Sequence, residues 1–563
     1  MLRPIRIPLS SLSSSCLLKR PFHSSPFALS HRIIPRGPRT SVPIGKTSSP
    51  STTPSTPHPY IKNDYNPWIR FGTFAIGAAV GLAYVYIAVY ADAQEPELVE
   101  STAGQVAAAR KHLGLYIWGN AVVGTVDVLF PGQVLRDVAF GIGHAAAVDA
   151  DGNLMQWSTP PLPAAGSKSK TAGEFTPAPP APRLTVRGKG FVQAACTNEH
   201  VFALCRNGDL YAVEKNAPAA AETGKGWFTK AGGEEGPVVT KLAPPTSMKR
   251  GEKVVKIAAG ADFVGAVTSR GRALTLQGTS WTELPELTDV QVSDIACGEK
   301  HTLISTVDGR VFGCGSNAFG QLATDTSISS VANATEISTL WSPPRQAAKP
   351  TNTRCSKIAA GGNTSLFVVE TPTSTKVMGC GTGMHGQLGT GAFPQVAATP
   401  GTIKALTDLS EWVERDAAIK PIRIRSIAAA PGGTHCAAVL ENSVASSDKI
   451  SRGWWLLSWF TGESKGRSSA VQDSAYGYDA LVWGGNTCGQ LARADEKRGN
   501  TAIPVHSLPV EYADQTRRTA GRLQIAPPGE VIVGNAGKST KAIAEQQLVL
   551  GPGLTGVFMK LVT

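Results

Sequence analysis

Short apolar runs punctuated by glycine turns recur along most of this chain, and they fall into two kinds of unit. The first reads as strand, turn, strand: "AFGIGHAAAVDADGNLMQW" (139–157), "AACTNEHVFALCRNGDLYAV" (194–213), "AAGADFVGAVTSRGRALTL" (258–276) and "ACGEKHTLISTVDGRVFGC" (296–314). Small apolar residues lead into a Gly or Cys, an apolar strand follows, and Gly152, Gly208, Gly271 or Gly309 then reverses the chain. Weaker copies lie at 358–369 and 427–440, and a seventh is read at 531–544. On this alignment Gly141, Gly260, Gly298, Gly361 and Gly534 hold equivalent places.

The second unit is a corner: "WGNAVVG" (118–124), "CGSNAFGQL" (314–322), "CGTGMHGQL" (380–388) and "WGGNTCGQL" (483–491). Its glycine pairs, Gly119 and Gly124, Gly315 and Gly320, Gly381 and Gly386, Gly484 and Gly489, keep one spacing. A repeated pair of this kind implies a repeated tight turn after a strand. The last hairpin unit lacks an outgoing strand, and "LYIWGNAVVG" near 115 lacks an incoming one. Joining the two would complete a blade and remove an exposed sheet edge.

The same alignment disposes of a nucleotide loop. "GNAGKST" (534–540) carries Gly-Lys-Ser, but a phosphate loop also needs a glycine at position 532, where the chain has Ile532. Gly534 is read instead as a repeat glycine.

Composition adds a targeting segment and an anchor. Residues 1–63 hold nine Lys and Arg and no acid, and the Arg- and Ser-rich start reads as a mitochondrial transit peptide over 1–46. A Pro/Ser-rich linker follows over 47–67, then a transmembrane helix over 68–91, whose residues 71–91 carry no charge and no proline, and an acidic linker over 92–112. Gly77 and Gly81 form a GxxxG on which a second helix could pack. Lys62 and Arg70 before the span, against Asp92, Glu95, Glu97 and Glu100 after it, place the body in the intermembrane space of the inner membrane, with the matrix side as the alternative.

The formal net charge of +12 does not make this a nucleic-acid binder: without those nine cations, 45 basic residues face 42 acidic ones over 64–563, a net of +3. The nine cysteines form no CxxC pair, so neither a zinc site nor a disulfide framework is expected. The all-β body over 113–563 is expected to carry insertions near 158–188, 214–250, 393–420, 441–478 and 493–521.

These motifs resemble the regulator-of-chromosome-condensation repeat, Trp-Gly-x-Asn-x-x-Gly-Gln-Leu-Gly followed by Gly-x-x-His, with Cys314 and Cys380 where the pattern has Trp. The resemblance implies a seven-bladed β-propeller of four-stranded blades. A presequence, one anchor and such repeats together are similar to fungal mitochondrial members implicated in assembling respiratory complex III. That resemblance implies an assembly scaffold with inner-membrane subunits and the lipid bilayer as partners, and, as the alternative, an exchange factor with a mitochondrial GTPase as partner.

His144, His200, His301 and His435 recur beside the repeat glycine. A catalytic base is needed once, so a residue present in unit after unit reads as structural, and no enzyme, cofactor or metal site is expected. The stronger candidate for contact is the insertion "KISRGWWLLSWFTGESKGR" (449–467). Its Trp454, Trp455, Leu456, Leu457, Trp459 and Phe460 form an apolar knot flanked by Lys and Arg, suited to a membrane surface or a protein partner, or to capping the propeller's own side.

Overall fold

The computed structural model describes residues 113–119, 126–160, 181–217, 238–341, 353–413, 418–441, 478–492, 499–507, 523–533 and 540–562, all within the compact unit Val80–Thr563. The expected presequence, linkers, membrane span with Gly77 and Gly81, corner glycine Gly124, Gly534 and the 454–460 knot lie outside the described residues. Among the described residues, no helix is long and apolar enough to cross a membrane.

The described chain is all-β apart from three short 3-10 turns. Its repeating element is a four-stranded antiparallel meander, as in Val292–Cys297, His301–Thr306, Val311–Ser316 and Ser330–Glu336. The first strands of successive meanders are neighbours: Leu135–Gly141 packs beside Phe191–Cys196, then come Val254–Ala259, Val292–Cys297, Arg354–Gly361, Arg423–Ala429 and Thr540–Gly551. Thr540–Gly551 in turn packs beside Leu135–Gly141, so the circuit of inner strands closes on itself, which is a β-propeller arrangement.

Second strands are sandwiched between neighbours on both faces, which is why they read as unbroken apolar runs. His301–Thr306 is buried at every position, and so is Thr364–Glu370 up to its last residue. Separate hydrophobic clusters fill the gaps between consecutive sheets: Phe202, Leu204, Leu274 and Leu276 in one, Leu303, Ile358, Phe367 and Cys380 in another.

The ends of the chain join as the repeat count anticipates. Leu115–Trp118 pairs with Leu554–Leu561, Leu115 opposite Phe558 and Trp118 opposite Thr555, and Asp127–Leu129 adds the outer strand. One sheet is thereby built from both ends of the body, and two potential edges vanish.

Two expectations are corrected. The C-terminal repeat unit does not lie at 531–544. Gly529–Val533 instead pairs with the first part of Thr540–Gly551 as an extra hairpin, and the blade hairpin turns further on, with Gly551 opposite Leu554 as Gly141 is opposite His144. Gly551, not Gly534, therefore stands where the other repeat glycines stand. The apolar run Val531–Val533 does sit in a hairpin strand, but that hairpin precedes the blade. Second, four of the stretches expected as insertions contain the outer strands Arg183–Val186, Val239–Lys241, Ala397–Thr402 and Thr501–His506. Val239–Lys241 and Ala397–Thr402 have no buried position, and so lack the apolar pattern that marks the inner strands.

Candidate functional site

The two ends of the ring use their side chains differently. At the end formed by the turns between first and second strands, glycine and histidine make one packing unit. The His301 ring folds over Gly298, where a Cβ would lie 2.1 Å from its Cε1; His144 covers Gly141 and Phe263 covers Gly260 in the same way.

His301 Nε2 lies 2.9 Å from Ser365 Oγ in the next sheet, and that hydroxyl donates to the Gln321 carbonyl at 2.6 Å. With the hydroxyl proton so committed, Nε2–H is the donor. His435 repeats the arrangement with Thr555, 3.0 Å away, whose hydroxyl donates to the Gln490 carbonyl at 2.7 Å. Burial pushes His301 down to about 4 and His435 to about 3, so both rings are neutral at physiological pH. His144 is buried like them, whereas His200 is exposed.

The Gly-Gln-Leu corner is the other half of this seam. Trp118 Nε1 donates to the Gln490 carbonyl at 3.1 Å and Trp483 Nε1 to the Gln387 carbonyl at 2.7 Å. Cys380 Sγ sits 3.5 Å from the Gln321 carbonyl, filling the Trp position with a weaker donor. The Gln side chains brace the corner itself, accepting from the amides of Phe319, His385 and Cys488 at 2.8–2.9 Å. Gly381 ends its strand at φ +102°, where a Cβ would lie 2.1 Å from the Asn363 carbonyl, so only glycine fits. Gly119, Gly315 and Gly484 hold the same place, and Gly320, Gly386 and Gly489 follow at the second position of the corner. The described repeat glycines, with the buried His144, His301 and His435, are thus located in the packing seams, whereas the exposed His200 is not. The Gln backbone carbonyl is the shared acceptor, a role not expected from the sequence although Gln recurs in "GQL".

At the opposite end the inner strands begin, and six of them carry a bulge at one shared point: Arg136, Val192, Val255, Ser293, Ser356 and Arg425. A bulge re-aims the next side chain. Asp137 accepts from the Ala194 amide at 3.0 Å and pairs with Lys560 at 3.5 Å; Gln193 exchanges two hydrogen bonds with Ile257; Lys256 pairs with Asp294; Arg425 pairs with Glu545 at 2.6 Å. Burial raises the Asp137 carboxyl, against the pull of Lys560.

Two recesses open at this end. One, of about 570 Å³, is lined by residues at the starts of Leu135–Gly141, Phe191–Cys196, Val254–Ala259 and Thr540–Gly551, together with Arg206 and Val562. These four strands are consecutive in the circuit, so the recess lies at the end of the ring where they begin. The second, of about 500 Å³, is lined by Arg354, Lys357, Glu370, Arg423, Arg425 and Glu441 among others. One pair forms within the lining, Arg354 reaching Glu370 at 3.2 Å, while Arg425, paired with Glu545 outside it, lies 4.6 Å from the Tyr478 ring centroid. The Trp-rich insertion leaves the fold at Glu441 and returns at Tyr478, so its root stands beside this second recess.

Two stretches of the chain match the Regulator of chromosome condensation (RCC1) repeat, residues 292–321 and 308–368. The chain is 25% identical to the mitochondrial RCC1 domain-containing protein RUG3 of Arabidopsis thaliana over 53% of its own length and 68% of that protein. It is 24% identical to the RCC2 homologue of Xenopus laevis over 38% of its length, and spans about half of that relative, 46%. The solved structure of human WBSCR16 aligns over 80% of this chain and all of that one, at 15% identity and a TM-score of 0.48.

Proposed function

We propose that this protein is a non-catalytic mitochondrial scaffold: a propeller of seven four-stranded blades, carried on a single inner-membrane anchor at 71–91, that holds subunits during assembly of a respiratory complex, complex III being the complex implied by the family resemblance. One observation carries the binding reading. The recurrent histidines that are buried serve packing at one end of the ring, while the other end offers recesses and the root of the Trp-rich insertion. Loops and recesses on a rigid ring are where recognition is placed. The mitochondrial relative supports the compartment. Trp454, Trp455 and Trp459 would provide the apolar contact with the bilayer or a subunit.

The test is a native gel and cytochrome spectrum of mitochondria lacking the protein. Loss of mature complex III with a trapped intermediate is the expected result; normal complex III would refute the assembly role. The repeat matches also support a second reading, an exchange factor for a mitochondrial GTPase. It requires that the purified protein accelerate nucleotide release, and no acceleration across the mitochondrial GTPases would exclude it. Carbonate extraction before and after removal of 71–91 tests the anchor.

A further inference from the structure

The recess of about 570 Å³ at the starts of the inner strands has an unbalanced lining. Among the described residues, Arg136, Arg206 and Lys253 are its charged residues, and no carboxylate is among those that line it. The rest is mostly aliphatic: Val192, Val254, Val255, Ile543, Leu561 and Val562. Arg136 and Arg206 repel each other, and burial together with Arg206 holds Arg136 below the usual guanidinium range. Arg136 spends both Nε and Nη2 on the Ala150 carbonyl, at 3.0 and 2.8 Å, which fixes its guanidinium without neutralising it. The nearby carboxylates that act on it, Asp149 and Asp151, lie outside the lining. Among the described residues, Arg206 and Lys253 make no ion pair.

Gathering like charges costs free energy unless an anion answers them. The aliphatic rim adds a second demand, since Val255, Ile543 and Val562 are 46%, 54% and 46% exposed. Among the described residues, no aromatic ring lines the recess on which a nucleobase could stack. The second recess differs by having its own carboxylates, Glu370 and Glu441.

We propose that this cationic, aliphatic-walled recess binds an acidic polypeptide segment of a partner protein, one that carries aliphatic side chains between its carboxylates. The carboxylates meet Arg206, Lys253 and Arg136, and the aliphatic side chains cover Val255, Ile543 and Val562. The volume falls in the range of ligand clefts, about 300–1,000 Å³. This inference stands apart from the complex III reading, because it concerns the chemistry of the occupant and not the complex it belongs to.

The test uses the full-length protein in detergent and a fluorescent peptide of alternating Glu with Leu and Val, read by anisotropy. Binding is expected, weakened at least about tenfold by Arg206→Glu with Lys253→Glu and by Val255→Asp, and retained in Arg206→Lys with Lys253→Arg. A photoreactive group on the central Leu of the peptide should label the Val255 and Ile543 strands in the unmodified protein, a result independent of whether any variant folds. Equal binding of a Glu-Gly peptide would reduce the recess to a diffuse counterion site and overturn the proposal. So would displacement of the peptide by anionic vesicles or a single-stranded oligonucleotide at lower concentration, labelling elsewhere, or no binding.

Discussion

The His435 imidazole and the Thr555 hydroxyl, 120 positions apart in the chain, lie 3.0 Å from one another and stitch the last inner hairpin to the sheet before it. That hydroxyl also donates to the Gln490 carbonyl, which accepts from Trp118 as well, so one carbonyl gathers groups from both ends of the propeller body. His435→Ala should therefore cost about 2–4 kcal/mol, from the lost ring packing and the lost hydrogen bond. Urea unfolding of the two proteins measures it; a difference below about 0.5 kcal/mol would mean the seam does not hold the ring together.

Acid should loosen the same seams. His301 and His435 are neutral when folded, at about 4 and about 3, against 6.5 for an ordinary histidine. A depressed histidine contributes stability that is complete above the unfolded value and is lost as pH falls from there toward the folded value. Stability should decline from about pH 6.5 to pH 4, by on the order of 3 kcal/mol per ring, and stop declining on their account below the folded values. Asp137 works in the opposite direction, because burial raises its carboxyl and protonation relieves that penalty. Unfolding midpoints across this range, compared with those of the double variant His301→Gln/His435→Gln, should show the slope flatten in the variant.

Ring closure should be as sensitive as any core position. Ile117 is 4% exposed and central in the strand that joins Leu554–Leu561 to Asp127–Leu129. Ile117→Pro removes an amide from a central strand and should destabilise by about 3 kcal/mol or more. Limited proteolysis checks it: the expected outcome is early cleavage around 113–130, and an unchanged pattern would contradict the closure.

Repeat glycines should differ in tolerance although they occupy one motif position. At Gly361 a Cβ would lie 2.4 Å from the Ala430 carbonyl, a backbone atom, whereas at Gly260 the nearest atoms all belong to the Phe263 ring, which can swing. Gly361→Ala is expected to lower stability by about 2 kcal/mol or more and Gly260→Ala by less than about 1. Equal thermal shifts would show that motif position, not local contact, sets the cost.

What the sequence determined by itself was local and periodic. Glycine spacing, apolar second strands and the unpaired strand near 115 sufficed for an all-β repeat body closed between its ends, because each reflects a constraint within one hairpin or one missing partner. Recurrence also pointed to a structural role that the buried His301 and His435 fill, but it did not separate them from the exposed His200. The outer strands Val239–Lys241 and Ala397–Thr402 were not legible, since strands facing solvent carry no apolar period. Nor was the last repeat glycine: pairing with Leu554–Leu561 and packing against Phe140 identify Gly551. The sharing of the Gln321 and Gln490 carbonyls between sheets, and the gathering of Arg136, Arg206 and Lys253 about one recess, belong to the tertiary structure. These groups lie tens of residues apart in the chain; packing of consecutive sheets brings most of them within reach, and closure of the ring does so at Gln490.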